Sequence, residues 1–366
     1  MLSAGMLLLA APAQAEPYLA VRTGAKCMTC HVNPTGGGKR TEYGNVYGQT
    51  ALAASRLDLG FGADRPPPKE GSVETIWNGR ITDYFAVGGD LRANFDYTAT
   101  PNQPSTHAFD LKRAQLYFDV QIIPGRLSVY VDERVAPGDA LNREAYALLW
   151  SRERHFYLKA GRLFLPYGLR LEDDSAFIRQ VPGINFNSSD TGVEGGLELG
   201  PWSASLAVTN GTGGTGETGK GKQYSLLASF VQPLWRIGAS YNLSENDAGD
   251  RQLRNVFAGL KTGFIGWLAE VDYVADDSIL GGRTSWAGLL EANAEVRRGH
   301  NLKLGYEYFD PNADVGEDQR IRLNLVWEYV PFQFTQFRIG YRNNQGIPQS
   351  NAQNSDEFFV QWHVFF

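Results

Sequence analysis

Cysteine is nearly absent from this chain. Only Cys27 and Cys30 occur in 366 residues, so at most one disulfide can form. A structural zinc site takes about four ligands, usually as two separated pairs, and no second Cys/His cluster exists to complete one. Methionine is as scarce, at Met1, Met6 and Met28, and histidine occurs five times, at His31, His107, His155, His300 and His363. Acidic charge outweighs basic charge, for a formal net charge of -6, which argues against nucleic acid as a partner. No apolar run reaches the roughly 20 residues a transmembrane helix needs. No hydrolytic triad, phosphate loop or second metal cluster is evident.

What is present is concentrated in Cys27-Met28-Thr29-Cys30-His31. Two thiols two residues apart, followed at once by a histidine, have the spacing for covalent c-type haem attachment. Each thiol forms a thioether to a porphyrin vinyl group, and the His31 imidazole ligates the iron from the proximal side. A thioredoxin-like pair would sit near a βαβ pattern, and none follows; a plain disulfide or another metal stays open. Residues 2–11 read as the apolar core of a signal peptide, and Ala13-Gln14-Ala15 as its cleavage site, with the mature chain beginning at Glu16.

Residues 16–64 form the expected monohaem cytochrome c segment. Pro34 and Gly36-Gly37-Gly38 forbid a long helix directly after the motif, and 50–57 reads as one helical stretch. Fewer than 50 residues are too few for a self-sufficient core, so the haem or an enclosing barrel must supply burial. Residues 65–83, opening on Arg65-Pro66-Pro67-Pro68, read as a linker.

From residue 84 to 366 the pattern is period-2 alternation in segments of about ten residues. Leu116, Phe118, Val120 and Ile122 share one face, and Arg113, Gln115, Tyr117, Asp119 and Gln121 the other. Short connections such as Pro124-Gly125 and Arg298-Gly299 alternate with long polar ones. The chain ends on an amphipathic aromatic strand. These features predict an all-β fold: a transmembrane antiparallel β-barrel of about sixteen strands, its lumen plugged by the haem segment. A soluble sandwich is the competing architecture. The 165–190 connection carries Arg170, Glu172, Asp173, Asp174 and Arg179. It either folds into the lumen or presents solvated charges outside.

Counting methionines excludes His/Met ligation within the chain. Strand parity turns His363 inward with Gln361 and Phe365, and His155 inward with Tyr157 and Lys159. Both are placed at the periplasmic mouth and stand as candidate distal ligands, against the commoner reading of ordinary polar lumen residues.

The segment resembles the fused cytochrome–porins of iron-oxidising bacteria in Arg22-Thr23-Gly24, Cys27 to His31, Pro34 and the aromatic-Gly pair Tyr43-Gly44. Gly161-Arg162-Leu163-Phe164-Leu165-Pro166-Tyr167-Gly168 resembles phosphate-selective-type porins. The cytochrome–porin resemblance implies one haem c, a Gram-negative outer-membrane location and Fe(II) as a donor. The expected function is electron transfer between an extracellular metal ion or other redox donor and a periplasmic carrier such as a soluble cytochrome, with Fe(II) oxidation as the possible oxidoreductase activity. The alternatives are a diffusion porin with a haem-containing plug or gate, and a conduit running outward.

Overall fold

The computed structural model describes residues 16–57, 76–211, 221–347 and 353–366. The signal peptide and the proline-rich part of the linker lie outside the described residues. Sixteen antiparallel strands, from β1 (Phe85–Ala99) to β16 (Ser355–Phe365), follow one another around a closed barrel. Closure comes from β1 pairing with β16 in a register that sets Asp90 against Phe365 and Ala99 against Asp356. Among the described residues no strand of the barrel is left as an open edge, which removes the usual route to edge-to-edge association.

Period-2 alternation does what the sequence predicts. In β9 (Trp235–Ser244) Arg236, Gly238, Ser240 and Asn242 are buried inward, while Trp235, Ile237 and Tyr241 are exposed outward. Outward residues elsewhere, among them Leu158, Leu206, Val256, Leu290, Leu304 and Leu325, make an apolar exterior. Such a belt suits a hydrocarbon environment, in which only closed hydrogen-bonding patterns are tolerated. Aromatic clusters flank it: Trp202, Phe230 and Trp235 at one end, with ring centroids 4.7 and 5.5 Å apart, and Tyr273 with Trp286 at the other, 4.9 Å apart.

Both strand ends of the sheet lie on the side with short turns, such as 200–201, 263–264 and 298–299. That side is periplasmic in barrels of this kind. The opposite side carries the longer connections, of which 165–188 is the longest.

The lumen is filled from both ends. From the periplasmic side enters the N-terminal segment, with helices α1 (Pro17–Thr23), α2 (Cys27–Cys30) and α3 (Glu42–Thr50). Helix α1 starts with Pro at its first position and ends at Gly24, whose φ of 65° supplies the left-handed cap. Its Tyr18, Leu19 and Val21 are buried against inward-facing Phe257, Leu268 and Leu289 of the wall. Full burial of such side chains stabilises by about 1.5–3 kcal/mol each. Tyr18 Oη donates to Glu328 Oε2 at 2.8 Å.

From the other side comes 165–188, whose Leu165, Tyr167, Leu169, Leu171, Ile178 and Ile184 are buried. The charges of this connection are therefore inside, not solvated: Arg92 pairs with Glu172, Arg342 pairs with Asp173, and Arg113 Nη2 meets Asp174 Oδ2 at 3.0 Å.

Two further expectations change. The helix expected at 50–57 lies earlier, at Glu42–Thr50, because Thr41 caps it by accepting from Gly44 N at 3.2 Å. The described end of the linker is docked: Gln49 Nε2 donates to the Trp77 carbonyl at 2.5 Å and Asn45 Nδ2 to the Asn78 carbonyl at 2.9 Å.

Candidate functional site

Cys27 and Cys30 bound a single helical turn, so their side chains share one face. His31 follows as the cap residue, its N–H bonded to the Cys27 carbonyl at 3.0 Å. Both cysteines are free thiols. Helix α3 packs closely over this turn, and a Cβ at Gly44 would collide with the Cys30 carbonyl oxygen. That contact gives the Tyr43-Gly44 pair a structural reason.

The spacer after His31 is fixed to the barrel wall. Asn33 Nδ2 donates to both oxygens of Glu144 at 3.0 and 3.1 Å, and Lys159 Nζ donates to Asn33 Oδ1 at 3.2 Å. Lys159 also pairs with Glu194 at 2.9 Å, and Tyr157 Oη donates to Glu194 Oε1 at 2.8 Å. All five side chains are buried. Tyr130 Oη accepts from Lys39 N at 2.9 Å, and a Cβ at Gly38 would collide with that same hydroxyl. From the inserted loop, Arg170 Nη1 donates to the Gly36 carbonyl at 2.6 Å. Both lumen-filling segments therefore meet at the residues just after the motif.

Cys27, Cys30 and His31 all line one partly open hollow between the N-terminal segment and the wall. Leu169, Leu227, Val231 and Phe257 give it apolar walls, and Lys26, Arg170 and Arg236 line it with basic groups. His31 Nδ1 is buried without a hydrogen-bond partner among the described residues. Burial, with the Arg40 charge nearby, holds the imidazole down at about 4, so the ring is neutral near pH 7. Two free thiols on one face, a neutral imidazole beside them and an apolar hollow with basic groups fit a covalently held haem. Among the described residues no group of three or more His, Cys, Asp or Glu offers a conventional metal cage.

The candidate distal residues fare differently. The structure corrects the placement of His155. It lies in the turn before β5 (Phe156–Phe164), with its side chain 46% exposed and Nδ1 3.3 Å from Glu153. The alternation that turns Tyr157 and Lys159 inward begins one residue too late to include it. His363 does face inward on β16. Its ring nitrogens are already engaged, Nδ1 with Gln336 Oε1 at 2.9 Å and Nε2 with Asp90 Oδ2 at 2.8 Å. In this arrangement His363 has no free nitrogen for iron. His107 is exposed on β2 (Thr106–Ile123), and His300 stacks on Tyr329 at 4.3 Å. None of these four lines the hollow.

The two rims differ in charge. On the long-loop side Asp139, Glu245, Asp247, Asp250, Asp277, Asp314 and Glu317 are exposed. On the short-turn side the exposed charges are chiefly basic: Arg80, Arg126, Arg152, Arg154, Arg297 and Arg298.

The fold is similar to solved porins. The loop L8 deletion mutant of OmpT from Vibrio cholerae matches with a TM-score of 0.61 at 13% identity, covering 77% of this chain and 99% of that one. An anion-selective porin from Comamonas acidovorans matches at 0.59 and 12%, covering 77% and 99%. OmpF of Salmonella typhi, solved with daunomycin, matches at 0.57 and 12%, covering 77% and 97%. At such identities the likeness concerns the fold. No protein-family model matches the chain, and no curated protein does.

Proposed function

We propose that the chain is an outer-membrane electron conduit, a porin-like barrel holding one covalent c-type haem in its lumen. The observation that carries this reading is that Cys27, Cys30 and His31 line one partly apolar hollow inside the barrel, pinned from two sides. The resemblance of Arg22-Thr23-Gly24, the motif and Tyr43-Gly44 to cytochrome–porins supports it. Bound there, a haem supplies a one-electron iron couple.

The chain's own residues do the rest. The Cys27 and Cys30 sulfurs would anchor the porphyrin, and the neutral His31 imidazole would serve as an iron ligand. Asn33, Glu144 and Lys159 hold the attachment turn at a fixed depth. A hydrocarbon core about 30 Å thick separates the two faces, so a redox centre within the lumen shortens the path between them. The acidic outer rim raises the local concentration of cations, which suits Fe(II) as an extracellular donor. The basic inner rim suits a periplasmic carrier with an acidic face. An outward conduit would use the same parts, with direction set by the potentials of donor and acceptor.

The likeness to porins favours a second reading, a diffusion porin with a haem-containing plug. Occupancy of the lumen by 16–57 and 165–188 weighs against a wide pore. Purified protein in planar bilayers separates the two. A conduit shows little conductance while external Fe(II) reduces the Soret chromophore; porin-like conductance with an unreduced chromophore refutes the conduit.

A further inference from the structure

We propose that Arg236 receives a haem propionate, a role that rests on the conduit reading above. Arg236 is the second residue of β9, faces inward, lines the hollow that holds Cys27, Cys30 and His31, and is only 7% exposed. Its Nε is buried with no hydrogen-bond partner among the described residues. No hydrogen bond or ion pair joins its guanidinium to another of the described residues; the guanidinium carbon lies 5.9 Å from the Phe257 ring centroid.

The other cations of the hollow have polar partners. Lys26 Nζ meets Glu198 Oε2 at 2.8 Å and the Trp202 carbonyl at 2.6 Å. Ser203 Oγ donates to the same Glu198 oxygen at 2.6 Å. Arg170 donates to the carbonyls of Gly36 and Leu165. Glu16 lies 3.5 Å from Lys303.

A buried guanidinium without an anion is costly, and its planar fork matches a carboxylate in two-point geometry. Gly259 stands opposite Arg236 in the ladder; a Cβ there would strike Val21 Cγ2 and crowd Arg236 Cγ at 3.0 Å, so the glycine lets α1 and the Arg236 stem share this stretch of wall. A haem tethered through the two thioethers would carry two propionate carboxylates, and Arg236 is the one cation lining this hollow without a polar partner among the described residues. A free anion crossing the lumen would offer the same chemistry from another source.

The test uses full-length protein extracted from outer membranes, comparing wild type with Arg236→Gln and Arg236→Lys, each first checked for heat-modifiable migration as folded barrel. The propionate bending band in the resonance Raman spectrum reports the contact, and midpoint potential against pH reports the charge. Removing a cation beside a propionate favours the oxidised iron and raises the propionate's proton affinity. The expected result for Arg236→Gln is therefore a shifted band, a lower potential and a new pH dependence in weak acid. Arg236→Lys restores most of the potential but not the band. A folded, haem-bearing Arg236→Gln protein with band and potential unmoved overturns the propionate assignment and leaves the conduit standing. A wild-type chain without covalent haem, whose anion selectivity in a salt gradient Arg236→Gln abolishes, overturns both and gives Arg236 to a passing anion.

Discussion

Asn33→Ala should release the attachment turn from the barrel wall while leaving the barrel intact. The Asn33 amide bridges a buried carboxylate and a buried ammonium: two donations to Glu144 and one acceptance from Lys159. Hydrogen bonds to charged groups contribute about 1.5–3 kcal/mol each, and a buried group left unsatisfied costs at least as much. Counting the Glu144 pair as one interaction and Lys159 as another gives roughly 3–6 kcal/mol. At 1.4 kcal/mol per decade, local opening becomes roughly 10²- to 10⁴-fold more frequent. Native-state hydrogen exchange on protein in detergent reads this directly. The informative amides are Val32, bonded to the Lys39 carbonyl at 3.0 Å, Gly36, bonded to the Asn33 carbonyl at 2.9 Å, and Lys39, bonded to Tyr130 Oη. They should accelerate together, whereas amides of β10 (Arg251–Thr262) and β11 (Ile265–Asp276) should not. The Thr35 amide is uninformative, because the substitution removes its own acceptor, Asn33 Oδ1. Unchanged exchange at all three reporters would refute the claim that this network fixes the motif.

Other substitutions probe separate links. Gly44→Val places a branched side chain against the Cys30 carbonyl, so less haem should be attached per chain while the folded barrel still migrates normally on gels; an unaltered haem-to-protein ratio would count against the packing argument. Leu268→Asp puts a carboxylate under the buried face of α1, where Tyr18, Leu19 and Val21 pack; limited proteolysis from the periplasmic side should then cut within 16–57, and resistance equal to wild type would contradict the seat. His155→Ala should leave the haem spectrum unchanged, because that side chain is in an exposed turn. His363→Ala should likewise preserve iron ligation while freeing Asp90 from one of its partners; a changed ligation-sensitive band in the visible spectrum would restore it as a ligand.

The strands were legible because a barrel wall imposes one rule along its whole length. Outward residues meet an apolar surround and inward residues meet the lumen, so alternation in Leu116–Gln121–Ile122 or Trp362–His363–Val364 reads directly as orientation. The Cys27–His31 turn stood out because covalent haem attachment would need that fixed spacing. What the alternation rule hid was the interior. Phe257, Leu268 and Leu289 are apolar yet face inward, since they seat a helix and not water. The signal was there in Leu289-Leu290, where adjacent positions are both apolar and one must face the lumen. The 165–188 insertion had a signal too: Leu165, Tyr167, Leu169 and Leu171 alternate inside what otherwise reads as a polar loop. Helix α3 was obscured by Gly44 and Gly48, which lower helix propensity; Gly44 is required by the close approach to Cys30. His155 failed on a boundary, since a strand starting one residue later leaves the ring in a turn. Arg236 carried no signal, because an inward arginine looks like any lumen charge until its partners are counted.

The central claim concerns the lumen's occupant, and one determination addresses it most directly. Full-length chain extracted from outer membranes is denatured, separated from free porphyrin and assayed for haem by alkaline pyridine spectroscopy, alongside Cys27→Ala/Cys30→Ala protein prepared in the same way. The account predicts one haem per wild-type polypeptide surviving denaturation, and none on the double variant. Wild-type polypeptide that keeps no Soret absorbance after denaturation would contradict it, leaving a plugged porin-like shell in place of a conduit.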